Sequence, residues 1–232
     1  MNTRTLIRNL GVSLAALALL GCATEKSYDY TNFREHPPRS ILVLPPLNES
    51  MSVEGTYGYL STVTRPLAEL GYYVYPVAIV DQFLKENGMP TSGEMHQAPL
   101  NKVAEIIGAD AVMYVTLKEY GTKYALLESV PTVSAVAKLV DTHTGVLLWE
   151  GAVVLRQTSR GSGNIFVDMI GAAIAQAINT STDRAHKLCG PANAILFTRK
   201  DRGLLYGPYR PEGADAGTGA AHENQAKPSM KS

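Results

Sequence analysis

Apolar positions along this chain come in bursts of different period. Residues 10–20 are apolar apart from Gly11 and Ser13, and a polar stretch, 23–38, follows and ends in Pro37-Pro38. Ser40-Ile41-Leu42-Val43-Leu44 is a continuous apolar run closed by Pro45-Pro46. Its length and bounds predict a buried central strand. Segment 53–70 mixes apolar and polar residues and predicts a helix, with Gly71 as its C-cap candidate. Pro66 lies inside it, which predicts a late start or a kink. Tyr72-Tyr73-Val74-Tyr75 predicts a second strand, stopped by Pro76. A short helix over 79–86 follows, then a loop over 88–99. Leu100, Val103, Ala104 and Ile107 form one stripe of a further helix, ended by Gly108.

Beyond Gly108 the period changes to two. Over 111–120, Met113, Val115 and Leu117 point one way, and Thr116 and Lys118 the other. Segments 133–141 and 146–157 continue as strands, joined by Thr142-His143-Thr144-Gly145, which predicts a hairpin. The three- and four-residue spacing then returns. Ile165, Phe166, Met169, Ile170, Ala173, Ile174, Ala177 and Ile178 predict a long helix over 164–188. Asp168 and Gln176 interrupt its stripe, so it does not read as a membrane span. Gly171 and Ala175 make a small-xxx-small pair there. It offers either close approach of a second helix or plain core packing. From Tyr206 to Ser232 there is no Val, Ile, Leu or Phe. That stretch predicts disorder, because it cannot bury enough apolar area to offset its ordering entropy. The order β-α-β-α-α-β-β-β-α predicts an α/β fold, a single sandwich domain over 39–202 with helices packed on a mixed sheet. A tail over 203–232 completes the division.

Composition changes this picture little. The chain has 232 residues, with 21 basic against 21 acidic side chains, and is 45% hydrophobic. It is too apolar for wholesale disorder and too neutral to suggest a nucleic-acid partner. Its 2 cysteines cannot build a disulfide scaffold. Their positions matter more than their number.

Arg4 and Arg8 precede the apolar run without an acidic partner. That run is about half the roughly 20 residues a membrane span needs. A basic start, a short apolar core and a small final residue predict a signal peptide over 1–21. Leu19-Leu20-Gly21-Cys22 resembles the lipobox of bacterial lipoproteins, with Leu20 less usual than Ala, Ser, Thr or Val. The resemblance implies cleavage between Gly21 and Cys22 and three acyl chains on Cys22. Such chains exceed the roughly two that stable anchoring needs. Ala23, rather than an aspartate, implies sorting to the outer membrane, with the periplasmic side favoured. Segment 22–38 is then expected as a lipidated tether, at most about 50 Å long.

Candidate chemistry is sparse. His36, His96, His143, His186 and His222 match no spaced metal motif, so no metal and no cofactor is expected beyond the lipid on Cys22. No nucleophile elbow or Walker loop is present. Gly161-Ser162-Gly163-Asn164 could bind an anion at a helix start, but Ser162 or Asn164 as an ordinary N-cap is the simpler reading. Asp141 beside the hairpin turn reads as a turn former. Cys189, three residues after His186, is expected to be buried, and a Cys189–His186 pair is the one enzyme candidate. Trp149 reads chiefly as a packing anchor, and otherwise as a contact for a ligand or partner.

Four segments resemble a family of outer-membrane lipoproteins of unknown function that includes a neisserial vaccine-candidate antigen. They are Ser40 to Pro46 (SILVLPP), Gly108 to Val112 (GADAV), Ala137 to Gly145 (AKLVDTHTG) and Val146 to Gly151 (VLLWEG). The Gly-Ala-Asp and Leu-Val-Asp-x-x-Thr-Gly patterns are similar, more distantly, to curli-secretion-type lipoproteins and the TolB amino-terminal domain. The resemblance implies a compact α/β domain without a catalytic site. It also implies a role in an envelope secretion or transport assembly, with a curli-secretion-like partner and homodimers. Two other functions stay open: a ligand-binding component of an envelope transport system, and a hydrolase using Cys189.

Overall fold

The computed structural model describes residues 28–125, 128–157, 165–167 and 184–210. The elements run α1 (Thr31–Glu35), β1 (Ser40–Val43), β2 (Leu47–Asn48), α2 (Gly55–Glu69), β3 (Tyr73–Val74), α3 (Val77–Glu86), α4 (Ser92–Met95) and α5 (Leu100–Ile106). Then come β4 (Ala111–Ala125), β5 (Glu128–Asp141), β6 (Leu147–Gln157), β7 (Ile165–Val167) and α6 (Arg184–Thr198). Among the described residues seven strands form one mixed sheet in the order β3-β1-β4-β5-β6-β7, and β2 also pairs with β4. Strands β3, β1 and β4 are mutually parallel, and β4 to β7 are antiparallel. The expected α/β fold, a mixed sheet with helices packed on it, is the one observed.

The alternation in β4 decides which face is which. Met113, Val115 and Leu117 are fully buried, together with Val133, Ala135, Ala137 and Leu139 from β5. Helices α2 and α6 cover this face through Val63, Leu67, Leu188, Leu196 and Phe197. Val112 and Leu42 point to the opposite face, where Val80, Leu84, Met95 and Val103 cover them from α3, α4 and α5. Strand β1 is therefore sandwiched on both sides, which is why it reads as an unbroken apolar run. Farther along the sheet that second face is open, and Lys118, Lys138, Glu150 and Arg156 are exposed on it.

Strands β1, β3, β4, β5 and β6 share one end. Ser40, Ala111, Asp141 and Leu147 mark it, since Ile41 pairs with Ala111, Ala111 with Asp141, and Val140 with Leu147. We call this end the base. From there β4 runs 15 residues, about 45–50 Å, to a distal hairpin where Ala125 faces Glu128.

Several sequence expectations need correction. The tether does not extend to Pro38. Phe33 is 3% exposed, and Tyr28 and Tyr30 pack against the same core. Three aromatic side chains in eleven residues supply enough apolar area to fold 28–38 onto the domain. The tail does not begin at 203 either, because Leu204 is buried and 203–210 is hydrogen-bonded to the domain. The rest of that tail, 211–232, lies outside the described residues.

The helix expected over 164–188 is wrong at both of its described ends. Ile165–Val167 is a strand paired with β6, and the helix at the other end runs on to Thr198 through Pro191. Gly190-Pro191 resembles a stop signal, yet Leu196 and Phe197 beyond it are buried against β6, and packing overrides it. The loop over 88–99 contains α4, started by a capping box between Thr91 and Glu94.

Candidate interaction surface

The residues that carried the family resemblance turn out to knit the base. Asp110 accepts hydrogen bonds from the Arg39 and Ser40 backbone N–H groups and from the Ser40 hydroxyl, each at 2.9 Å. This ties the start of β1 to the start of β4. Thr142 donates its hydroxyl to the Ala109 carbonyl at 2.5 Å. Asp141 accepts from the His143 N–H, the Thr144 N–H and the Thr144 hydroxyl at 3.0, 2.7 and 2.7 Å. Burial works against the Asp141 charge, but the hydrogen bonds from Thr144 and His143 hold its carboxyl below the ordinary carboxylate range. Gly145 closes this turn at φ 72°, a conformation that favours glycine. The Asx-turn reading of Asp141 therefore stands, and these residues build structure.

The segment after α6 crosses the base. Trp149 Nε1 donates to the Arg202 carbonyl at 2.7 Å, and the Tyr30 hydroxyl donates to the Gly203 carbonyl at 2.6 Å. Desolvation by burial pushes the Tyr30 phenol up to about 12. Farther along, Tyr72 donates to the Leu205 carbonyl, Gly207 N–H to the Leu70 carbonyl at 2.8 Å, and Tyr209 N–H to the Gly71 carbonyl at 3.0 Å. Residues 199–210 thus form a strap from β6 to the far end of α2. Gly207 permits this, since a Cβ there would overlap the Gly71 carbonyl.

Trp149 is fully buried, with its ring centroid 5.9 Å from that of Phe197. It cannot reach a partner, so its reading as a possible contact is corrected to packing and strap anchoring. Cys189 is fully buried too, with Sγ 3.4 Å from the Ala185 carbonyl oxygen. His186 instead directs Nδ1 to the Gly58 carbonyl at 3.0 Å. Gly21, Cys22, Gly171, Ala175, His222 and the glycine-rich segment 161–164 lie outside the described residues.

His96 sits beside α4 with Nε2 3.0 Å from the Pro45 carbonyl oxygen and its ring edge-on to Tyr114. A carbonyl only accepts, so Nε2 carries the proton. Burial holds the His96 pKa below its ordinary value, although the Pro45 bond opposes this. Among the described residues no group of three or more His, Cys, Asp or Glu could hold a metal ion. No described helix is long and apolar enough to cross a membrane.

The distal half presents a different surface. Met51 and Val53, between β2 and α2, are 104% and 93% exposed. Tyr57 on the first turn of α2 is half exposed and begins a groove of about 550 Å³ between α2 and α3. Leu60, Val77 and Ala78 give the groove an apolar lining. Lys85 closes one end, 2.7 Å from Asp81 and 2.9 Å from the Tyr57 hydroxyl. The hydrogen bond to Asp81, then that to Tyr57, pushes the Lys85 ammonium up to about 12. A second groove, of about 290 Å³, lies between Glu49, Met51, Lys118 and Tyr120. Sequence reading missed Met51 and Val53. The available signal was two large apolar residues within the otherwise polar run Asn48 to Glu54.

The family "Putative lipoprotein GNA1162-like" matches residues 28–209. The chain belongs to this lipoprotein family. The GNA1162-like match starts at Tyr28 and ends at Tyr209, so it takes in both α1 and the strap. A Neisseria meningitidis serogroup B protein, "Putative lipoprotein NMB1124/NMB1162", is 42% identical over 198 residues, 84% of this chain and 92% of that protein. The crystal structure of lipoprotein GNA1162 from Neisseria meningitidis is 50% identical, with a TM-score of 0.51, over 54% of this chain and 87% of that one. A PelC dodecamer from Paraburkholderia phytofirmans is a remoter likeness, 13% identical with a TM-score of 0.44, covering 73% of this chain and 90% of that one. The family expected from the four sequence segments is the one found.

Proposed function

We propose that this lipoprotein is a non-catalytic binding subunit of an envelope secretion or transport assembly. It is held at the outer membrane, on the periplasmic side, by acyl chains on Cys22. The observation that carries the binding role is the exposed apolar edge of Met51, Val53 and Tyr57 beside the α2–α3 groove. Large apolar side chains clustered at a groove mark protein-contact surfaces. The partner is another envelope lipoprotein of the curli-secretion-like kind, with a second copy of this chain as a further associate.

The burial of Cys189 counts against its use as a nucleophile, which must meet substrate. The ligand-carrier alternative requires space under the sheet. Met113, Val115, Leu117, Val133, Leu139 and Leu155 are fully buried there against α2 and α6. That packing favours the binding subunit.

The test is recovery of partners with the full-length, acylated protein after gentle solubilisation. Envelope lipoproteins should copurify with the wild type. A Met51→Ser, Val53→Ser double variant should lose them while keeping its fold. Equal recovery by both proteins removes the distal edge from the proposal. Sedimentation of the same two proteins reports whether a second copy uses the same edge.

A further inference from the structure

Correcting the tether changes where the domain must sit. Tyr28, the first described residue, is already held to the domain, its hydroxyl accepting the Glu150 N–H at 2.8 Å. Cys22 is six residues before it. Six residue spacings of chain reach at most about 20 Å, against about 50 Å for a tether ending at Pro38. An acylated Cys22 therefore keeps Tyr28, and with it the base, close to the bilayer surface. The domain is wider than that leash is long. Strand β4 alone runs about 45–50 Å. A leash attached at the base holds the base near the bilayer and leaves the distal half to be positioned by the surface that meets the lipid.

The chemistry of the base fits a headgroup layer. The strap carries Arg199, Lys200, Arg202 and Arg210 against Asp201 alone, in a chain with zero formal net charge. Lys200 and Arg202 are exposed. The Arg210 guanidinium lies 3.3 Å from the Tyr206 ring centroid, and that of Arg39 lies 5.8 Å from that of Tyr209. Tyr209 and Tyr73, both at the base, are 55% and 52% exposed. Tyrosines at the interface and basic residues near anionic lipid are the side chains that settle at a membrane surface. Asp29 and Glu150 lie near Tyr28 together with Arg202, so the net basic character of the strap rests chiefly on Arg199, Lys200 and Arg210.

We infer that the strap, 199–210, is a membrane-facing surface that docks on the anionic phospholipid headgroups of the anchoring bilayer and points the Met51–Val53 edge away from it. This rests on acylation of Cys22. The acyl chains hold the protein, and the strap sets its orientation.

The test uses full-length acylated protein in vesicles of phosphatidylethanolamine and phosphatidylglycerol. Cys189 is buried and Cys22 is acylated, so a single introduced cysteine takes a fluorophore. The probe is placed by Pro208→Cys on the strap or by Val53→Cys at the distal edge, and the quencher is a spin-labelled headgroup. Quenching at position 208 should exceed that at position 53 by about fivefold, and charge reversal at Arg199, Lys200 and Arg202 to Glu should erase most of the difference. Phosphatidylcholine vesicles should reduce it similarly.

Acylated protein quenched equally at both positions overturns the orientation and leaves the anchor intact. A difference that survives both the charge reversal and neutral lipid overturns headgroup recognition. Mass spectrometry finding no acyl chain on Cys22 overturns the anchored reading and this inference together.

Discussion

The base and the distal half of the molecule are built on opposite rules. At the base the strand ends and the strap are tied together by side-chain hydrogen bonds. Asp110 and Thr142 bind backbone groups across the sheet, Asp141 binds those of its own turn, and the strap is held by Trp149, Tyr30 and Tyr72. At the distal half, Met51 and Val53 stand in solvent and bind nothing within the fold. Residues tied into hydrogen-bond networks sustain a shape, whereas large apolar residues left outside sustain a contact with something else. The difference teaches that the motifs most useful for recognising this family belong to its scaffold.

The contrast can be broken at the base most severely through Trp149. Trp149→Ala should cost about 3–5 kcal/mol, by leaving a cavity beside Phe197 and releasing the strap. Urea denaturation gives this directly, and a loss below about 1 kcal/mol would mean that the strap and α6 do not depend on the ring. Asp110→Ala should cost about 1–3 kcal/mol, since it strands two backbone N–H groups at the start of β1. Faster amide exchange at Arg39 and Ser40 than at Met113 is the accompanying signature.

Acid should also act on the base and middle before the distal edge. The folded pKa of Asp141 lies below its ordinary value, so its contribution is full above that value and is lost as the pH falls through the folded pKa. His96 titrates at higher pH. Its folded pKa is also lowered, so the unfolded chain takes the proton first, and stability drops as the pH falls below about 6.5. A thermal-melt series should show this decline, and His96→Gln should flatten it between pH 6.5 and the His96 folded pKa. An unchanged slope would assign the decline to other groups.

The smallest stability effect belongs to the distal edge. Met51→Ser with Val53→Ser should shift unfolding by no more than about 0.5 kcal/mol, because neither side chain is packed. The same variant should show the largest loss of partner recovery. A large destabilisation would instead place these residues in the fold's own energetics.

Much of the fold was legible because its signals were local. The run Ser40 to Leu44, the alternation of Met113, Val115 and Leu117, and the turn at Asp141 each carry their own periodicity or turn chemistry. Segments whose order comes from distant partners were not legible. Tyr28, Tyr30 and Phe33 show no repeat, and they fold because β6 and the strap meet them. Leu204 sits in a glycine- and proline-rich sequence that resembles a tail, and it is buried nonetheless. Helix α6 continues through Pro191 because the sheet behind it rewards Leu196 and Phe197 more than the proline penalises them. Of the interaction surface almost nothing was legible, since exposure is a property of the folded shape.

The order of strands along the chain has a consequence for how the molecule assembles. Strands β4, β5 and β6 form a meander of neighbours, whereas Asp110 meets Ser40 across a separation of 70 residues, and Tyr30 meets Gly203 across 173. Contacts that close long loops form late, so the meander is the natural nucleus and the two chain ends dock last. Pulsed hydrogen exchange during refolding should protect Ala137 and Val153 well before Gly207 and Tyr209. A chain fastened at its amino end would then complete its fold at the very place where it is fastened, with the bilayer already alongside.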